Sequence, residues 1–316
     1  MTSAIHQTLE PESHPLHWDI DSIVAELRAL RNATPGRHSH DRPPKLPSQK
    51  ALVGILDGLT AALFPNRLGL PELTHEGIDY FVGNTLDVTL RELLEQVRRE
   101  LQFSAGDDAE RSAILRTAVD VTREFASQLP SVRRLLESDI RAAYQGDPAA
   151  RSVDEVLVCY PGVTAITHYR LAHLLYGLGA PLLGRMIAEA AHSTTGIDIH
   201  PGAQIGGSFF IDHGTGVVIG ESAVIGERVR LYQAVTLGAK RFPADESGKL
   251  LKGNARHPIV EDDVVIYAGA TILGRVVIGK GSVIGGNVWL TRSVPPGSNI
   301  TQAKNRSEAF DDGSGI

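Results

Sequence analysis

The sequence predicts an α+β chain of two domains, an N-terminal α-helical domain followed by a left-handed parallel β-helix of hexapeptide repeats. Two observations carry that expectation. From Gln49 to Ala191 apolar residues recur three and four apart, the spacing of one helix face. Beyond Gly196 they recur every six residues, at Ile199, Ile205 and Ile211, then at Ile219, Ile225, Leu231 and Leu237. The step returns at Val260, Ile266, Ile272, Ile278, Ile284 and Leu290. Composition agrees: there are 32 glycines but only 5% aromatic residues, and the glycines gather in the second half. Such a chain suits a narrow aliphatic core with tight turns.

Residues 1–48 read as a solvated tail, with Pro35, Pro43, Pro44 and Pro47 and with His6, His14, His17, His38 and His40 at irregular spacing. Only Ile20 to Arg31 has helical periodicity there. The helical domain is expected over 49–192, with six or seven helices. Its clearest stripe is Val88, Leu90, Leu93, Leu94 and Val97, flanked by Arg91, Glu92, Glu95 and Arg98. Further stripes run through Ile114–Phe125, Val132–Ile140, Val153–Cys159, Ile166–Tyr176 and Pro181–Ala191. Gly146-Asp147-Pro148 and Pro161-Gly162 read as turns between them.

The β-helix is expected over 193–296, with 297–316 as a C-terminal tail. Three short strands make one triangular coil of about 18 residues, apolar side chains inward. Small or branched residues sit four positions after the apolar ones, among them Ala223, Val229, Val235, Val264, Ala270 and Val276. Two interruptions break the pattern. Asp212-His213-Gly214-Thr215-Gly216 stretches the step from Ile211 to Ile219 to eight residues, and Ala239 to Pro258 leaves the prism altogether. Each carries a histidine. Loops held on a rigid scaffold are where function concentrates.

Composition also excludes. A formal charge of −6 gives no electrostatic footprint for nucleic acid or an anionic membrane surface. Cys159 stands alone, which rules out an intrachain disulfide and a thiolate metal cluster. Met1 to Leu9 lacks the regions of a signal peptide, and Leu171 to Ala191 is interrupted by His173, Arg185 and Glu189. A cytoplasmic protein without a membrane span is the default expectation. No phosphate-cradling GxxxxGK[ST] or strand-borne GxGxxG is present.

The local motifs are sharper. Gly196-Ile-Asp198-Ile-His200-Pro201 opens the prism, followed by Asp212-His213-Gly-Thr-Gly, Gly220-Glu221, Gln233-Ala-Val-Thr-Leu-Gly238 and Arg256-His257-Pro258. In this order, behind a helical domain, they resemble serine O-acetyltransferases, which pass acetyl from acetyl-CoA to the L-serine hydroxyl in cysteine biosynthesis. The resemblance spans roughly Ser138 to Pro296.

The resemblance implies His213 as general base, since a serine hydroxyl must lose its proton to attack a thioester. It implies Asp198 as the carboxylate fixing the His213 tautomer, His257 as a donor to substrate or oxyanion, and Glu221 as the residue orienting His257. Arg256 suits the amino-acid carboxylate, while Asp147 and Asp212 suit its ammonium. The pantetheine of acetyl-CoA is expected against Ala239, Ala268 and Gly286, between prisms of adjacent subunits. No metal is expected. The family further implies a homotrimer or hexamer and feedback inhibition by L-cysteine. It also implies binding of O-acetylserine sulfhydrylase through the terminal Ile316.

The chain departs from many members in its longer 239–255 loop. Thr301 to Arg306 replaces a Gly-Val-Pro-Ala-Arg segment, so Lys304 or Arg306 meets a coenzyme phosphate or forms a solvated basic pair. Three rival readings stay open. A γ-type carbonic anhydrase requires His200, His213 and His257 to converge on zinc. The others are a sugar or antibiotic acetyltransferase, and a non-catalytic scaffold.

Overall fold

The computed structural model describes residues 18–33, 45–105, 110–241 and 245–302. Expectations for the five early histidines, Pro35, Pro43 and Pro44, and for Lys304, Arg306 and Ile316, lie outside the described residues. The chain divides into two compact units, 1–44 and 45–316. The described part of the first contains one helix, α1 (Ile20–Ala33), which covers the periodic stretch of the tail.

The second unit begins with seven α-helices: α2 (Gln49–Leu63), α3 (Pro65–Leu68), α4 (Ile78–Ala105), α5 (Arg111–Gly146), α6 (Val153–Cys159), α7 (Pro161–Gly177) and α8 (Pro181–Thr195). Of the α4 stripe, Leu93 and Val97 are fully buried, but Val88 is exposed. Two stripes expected on either side of Pro130 belong to one 36-residue helix, α5. Proline inside a helix lacks an N–H and crowds the preceding turn. Yet the buried residues Ala118, Thr122, Phe125, Leu129, Val132 and Leu136 keep three- and four-residue spacing straight across it. Packing of that face outweighs one lost hydrogen bond. Gly196, at φ 69°, closes α8 in the left-handed region and turns the chain into the prism.

Fourteen short parallel strands then form three sheets. Sheet I holds β1 (Asp198–Ile199), β4 (Val218–Ile219), β7 (Thr236–Gly238), β10 (Thr271–Leu273) and β13 (Trp289–Leu290). Sheet II holds β2 (Gln204–Ile205), β5 (Val224–Ile225), β8 (Ile259–Val260) and β11 (Val277–Ile278). Sheet III holds β3 (Phe210–Ile211), β6 (Arg230–Leu231), β9 (Val265–Ile266), β12 (Val283–Ile284) and β14 (Asn299–Ile300). Successive strands go I, II, III, the arrangement of a left-handed hexapeptide β-helix.

The register explains the six-residue step. Ile199 pairs with Ile219, Ile219 with Leu237, and Leu237 with Ile272, stacking one inward column through sheet I. These residues are at most 3% exposed, and Val217, Ala223, Val235, Val264 and Ala270 fill the corners between columns. Ile205, at the end of sheet II, is only half-buried.

Helices and prism are fastened together at one buried ion pair. Arg170 of α7 grips Asp139 of α5 at 2.6 and 2.9 Å and donates to the Gly206 carbonyl at 2.8 Å. Asp139 also accepts the Phe209 N–H. Tyr169 donates to the Ala203 carbonyl, and Gly162 lies so close to the Ile211 carbonyl that a Cβ would collide with it. The end of α5 is thereby held beside sheet III. No described helix is long and apolar enough to cross a membrane.

Candidate active site

The expected site residues fall on two corners of the prism. Where sheet III turns into sheet I, the five-residue stretch 212–216 makes a protruding turn. His213 at φ 58°, Gly214 at 87° and Gly216 at 80° all adopt left-handed backbone, which lets eight residues span the gap of six. The Asp212 N–H stays in the ladder, donating to the Leu231 carbonyl, and Val217 resumes it. Between them the His213 side chain stands 73% exposed, its Nε2 3.8 Å from the Asp212 carboxylate. That separation is too long for a hydrogen bond.

Asp147 reaches the same corner from the end of α5. It caps that helix, its carboxylate accepts the Ala149 N–H at 2.8 Å, and the Tyr160 hydroxyl donates to its other oxygen. The Tyr160 hydrogen bond leads in holding Asp147 below its ordinary pKa, with His213 and Arg230 adding positive charge. The same hydrogen bond, with burial and neighbouring acids, pushes Tyr160 up to about 12. Asp147, Asp212 and His213 therefore share one anionic corner with a free imidazole.

Tyr160 was not singled out from sequence. Its only signal is its place just before the Pro161-Gly162 turn, thirteen residues after Asp147. Higher on this corner Tyr232 and Tyr267 stack at 5.0 Å, and Gly286 packs beneath the Ala268 carbonyl. Gln233, between the first tyrosine and Ala234, has a buried Oε1 without a partner among the described residues.

The other corner, from sheet I to sheet II, carries the insertion. Here His257 is 6% exposed and fixed from several sides. Its Nδ1 accepts the Ser222 N–H at 3.0 Å and lies 2.9 Å from Ser222 Oγ. That oxygen in turn accepts the backbone N–H groups of Arg256 and His257. The Ser222 proton accordingly points to Nδ1, and the imidazole carries its own proton on Nε2. Its ring lies on Gly220, where any Cβ would collide with it. Burial, then the Arg256 charge, lowers the His257 pKa to about 4. The ring is a neutral N–H donor of fixed tautomer.

Two expected pairings are not made as hydrogen bonds among the described residues. Glu221 does not orient His257 by hydrogen bonding; it binds Arg256 at 2.8 Å and accepts from Tyr176 at 3.3 Å. Ser222 does the orienting, one position further along. Asp198 makes no hydrogen bond to His213 among the described residues, and its negative charge acts on His200. Ala239 starts the insertion, so the structure separates it from Ala268 and Gly286 by a face of the prism.

His200 shares the second corner with His257, whereas His213 is on the first. Among the described residues no three His, Cys, Asp or Glu side chains are grouped to hold a metal. The trio needed for a zinc site is not assembled within one chain.

Residues 257–292 match the family model described as bacterial transferase hexapeptide (six repeats). A serine acetyltransferase of Synechococcus elongatus, plasmid-borne by its name, is 60% identical over 304 residues, 95% of each chain. The chain belongs to the serine acetyltransferase family. The serine acetyltransferase of Mycobacterium tuberculosis is 50% identical over 52% of this chain and 68% of its own length. Among solved structures, Entamoeba histolytica serine acetyltransferase isoform 3 in complex with cysteine superposes with a TM-score of 0.68. It is 32% identical and covers 92% of this chain and 94% of its own. Serine acetyltransferase 1 of that organism, in complex with L-cysteine, gives 0.68 at 36% identity over 90% and 98%. The chain is thus an acyltransferase that acetylates serine, and the carbonic anhydrase, sugar-acetyltransferase and scaffold readings fall.

Proposed function

We propose that the two corners are halves of one site that closes between neighbouring copies of the chain, with acetyl-CoA as the co-substrate. The observation that carries this reading is the division of labour. A carboxylate pair and an exposed base occupy the corner after sheet III; a guanidinium and a fixed N–H donor occupy the corner after sheet I. Neither set alone can hold an amino acid at both ends. A three-fold ring brings the first corner of one copy against the second corner of the next.

In that site the serine ammonium meets Asp147 and Asp212, and its carboxylate meets Arg256. Arg256 is already positioned by Glu221 and the Asn254 carbonyl, and its remaining N–H groups are available. His213 takes the hydroxyl proton as Oγ bonds to the thioester carbonyl carbon. His257 Nε2–H steadies the oxyanion of the tetrahedral species. When the C–S bond breaks, the His213 imidazolium returns its proton to the departing thiolate. Asp198, on β1, is the carboxylate that pairs with the His213 ring once serine is bound. Ala268 and Gly286 leave a shallow wall against which a thin pantetheine chain fits, and Ala239 of the adjoining copy faces it.

L-Cysteine differs from serine only at the Oγ position, so it fits the same ammonium and carboxylate partners. Inhibition competitive with serine is expected. The deciding assay measures thiol release from acetyl-CoA with L-serine, homoserine and a galactoside. Release dependent on serine supports the reading; release with the sugar alone, or none, refutes it.

A further inference from the structure

We propose that the cleft between the second half of α5 and sheet III binds a small molecule bearing two or more negative charges in phosphate-like oxyanion groups. The cleft encloses about 520 Å³, within the range of small-molecule sites. Four arginines line it, Arg134, Arg141, Arg228 and Arg230, against one acidic residue, Glu137.

The acids nearby pair with only one of the four arginines among the described residues. Glu137 is held by Arg133 at 2.7 Å, while Asp263 at 2.6 Å and Asp262 at 3.9 Å pair with Arg228 and, of the four arginines, with no other. Arg134 donates to the Ser131 hydroxyl. Arg230 lies over the Phe210 ring, 5.2 Å from its centroid. Among the described residues neither of these two, nor Arg141, forms an ion pair. Three cations facing one cavity repel one another. A multivalent oxyanion resolves that repulsion and can take bidentate hydrogen bonds from each planar fork.

The site is also wired to its surroundings. Gly146 has no side chain because the Arg230 guanidinium occupies the place of its Cβ. From there Arg230 adds to the positive potential on Asp147. An anion drawn onto Arg230 weakens that potential, a consequence that rests on the catalytic reading of Asp147. Binding itself does not.

The test is calorimetric titration of the full chain with inorganic pyrophosphate at low ionic strength, with and without saturating coenzyme A. Saturable binding of one pyrophosphate per chain is expected in both conditions. Arg141→Gln, and the pair Arg134→Gln with Arg141→Gln, should each weaken it at least ten-fold while unfolding temperature and thiol release stay at parental values. Absence of saturable heat overturns the proposal, as does unchanged affinity in both variants. Loss of binding in the presence of coenzyme A also overturns it, because the cations would then belong to the coenzyme's own site.

Discussion

At the corner after sheet III, His213 stands in solvent on a left-handed residue, with only a distant carboxylate beside it. At the corner after sheet I, His257 is buried against Gly220 and held by three hydrogen-bonding groups of Ser222 and the backbone. The same side chain is built into one fold in opposite ways. A general base must collect and release a proton at working pH, so exposure and freedom suit it. An oxyanion donor must not titrate, so burial and a locked tautomer suit it. The contrast is what the two proposed roles require.

The sharpest way to break the contrast is to remove the free ring. His213→Asn, chosen because asparagine tolerates the left-handed backbone, should lower kcat by at least ~10²-fold. Its unfolding temperature should stay unchanged, since the imidazole is mostly in solvent. Full activity would eliminate His213 as the base. Next, Asp147→Asn should raise the KM for serine roughly ten- to a hundred-fold, the worth of a charge-assisted hydrogen bond. The KM for acetyl-CoA should barely move; equal rises in both would contradict an ammonium-binding role.

Smaller effects probe the locked corner. Ser222→Ala leaves two backbone N–H groups without their acceptor and loosens His257. It should cost about 1–3 kcal/mol in urea unfolding and lower kcat by about ten-fold. A variant as stable and active as the parent would show that Ser222 does not orient the ring. The last effect is pH-dependent. His257 has an ordinary pKa of 6.5 and a folded value of about 4, so the unfolded chain binds its proton first as pH falls. Its contribution is intact above pH 6.5 and is lost progressively toward pH 4. Stability of the parent should therefore decline more steeply than that of His257→Gln across this window. Parallel curves would mean that the ring is not held neutral.

The fold was legible because a β-helix repeats its own geometry in sequence. Each inward column residue, from Ile219 to Leu290, meets a partner of the same kind one coil away, so spacing alone identifies the core. The two interruptions also announced themselves as departures from six. Helices were less legible where local and tertiary preferences disagree, as at Pro130. Asp147, Asp212, His213, Arg256 and His257 were found through motifs, but their partners were not. Tyr160, Ser222 and Tyr176 matter through contacts 13, 35 and 45 residues away. Residue type reveals capacity to hydrogen-bond, and only the packed chain reveals with whom. Glu221 illustrates this: the resemblance pairs it with His257, and its carboxylate binds Arg256.

The shared site is tested most directly by mixing two chains, each lacking one histidine. His213→Asn and His257→Gln chains should each be nearly inactive alone. Unfolded and refolded together at equal amounts, they should regain about a quarter of parental activity, the fraction of sites in a random three-fold ring that draw an intact residue from each neighbour. If co-assembly is verified and no activity returns, the two corners do not meet between copies, and the account is wrong at its centre.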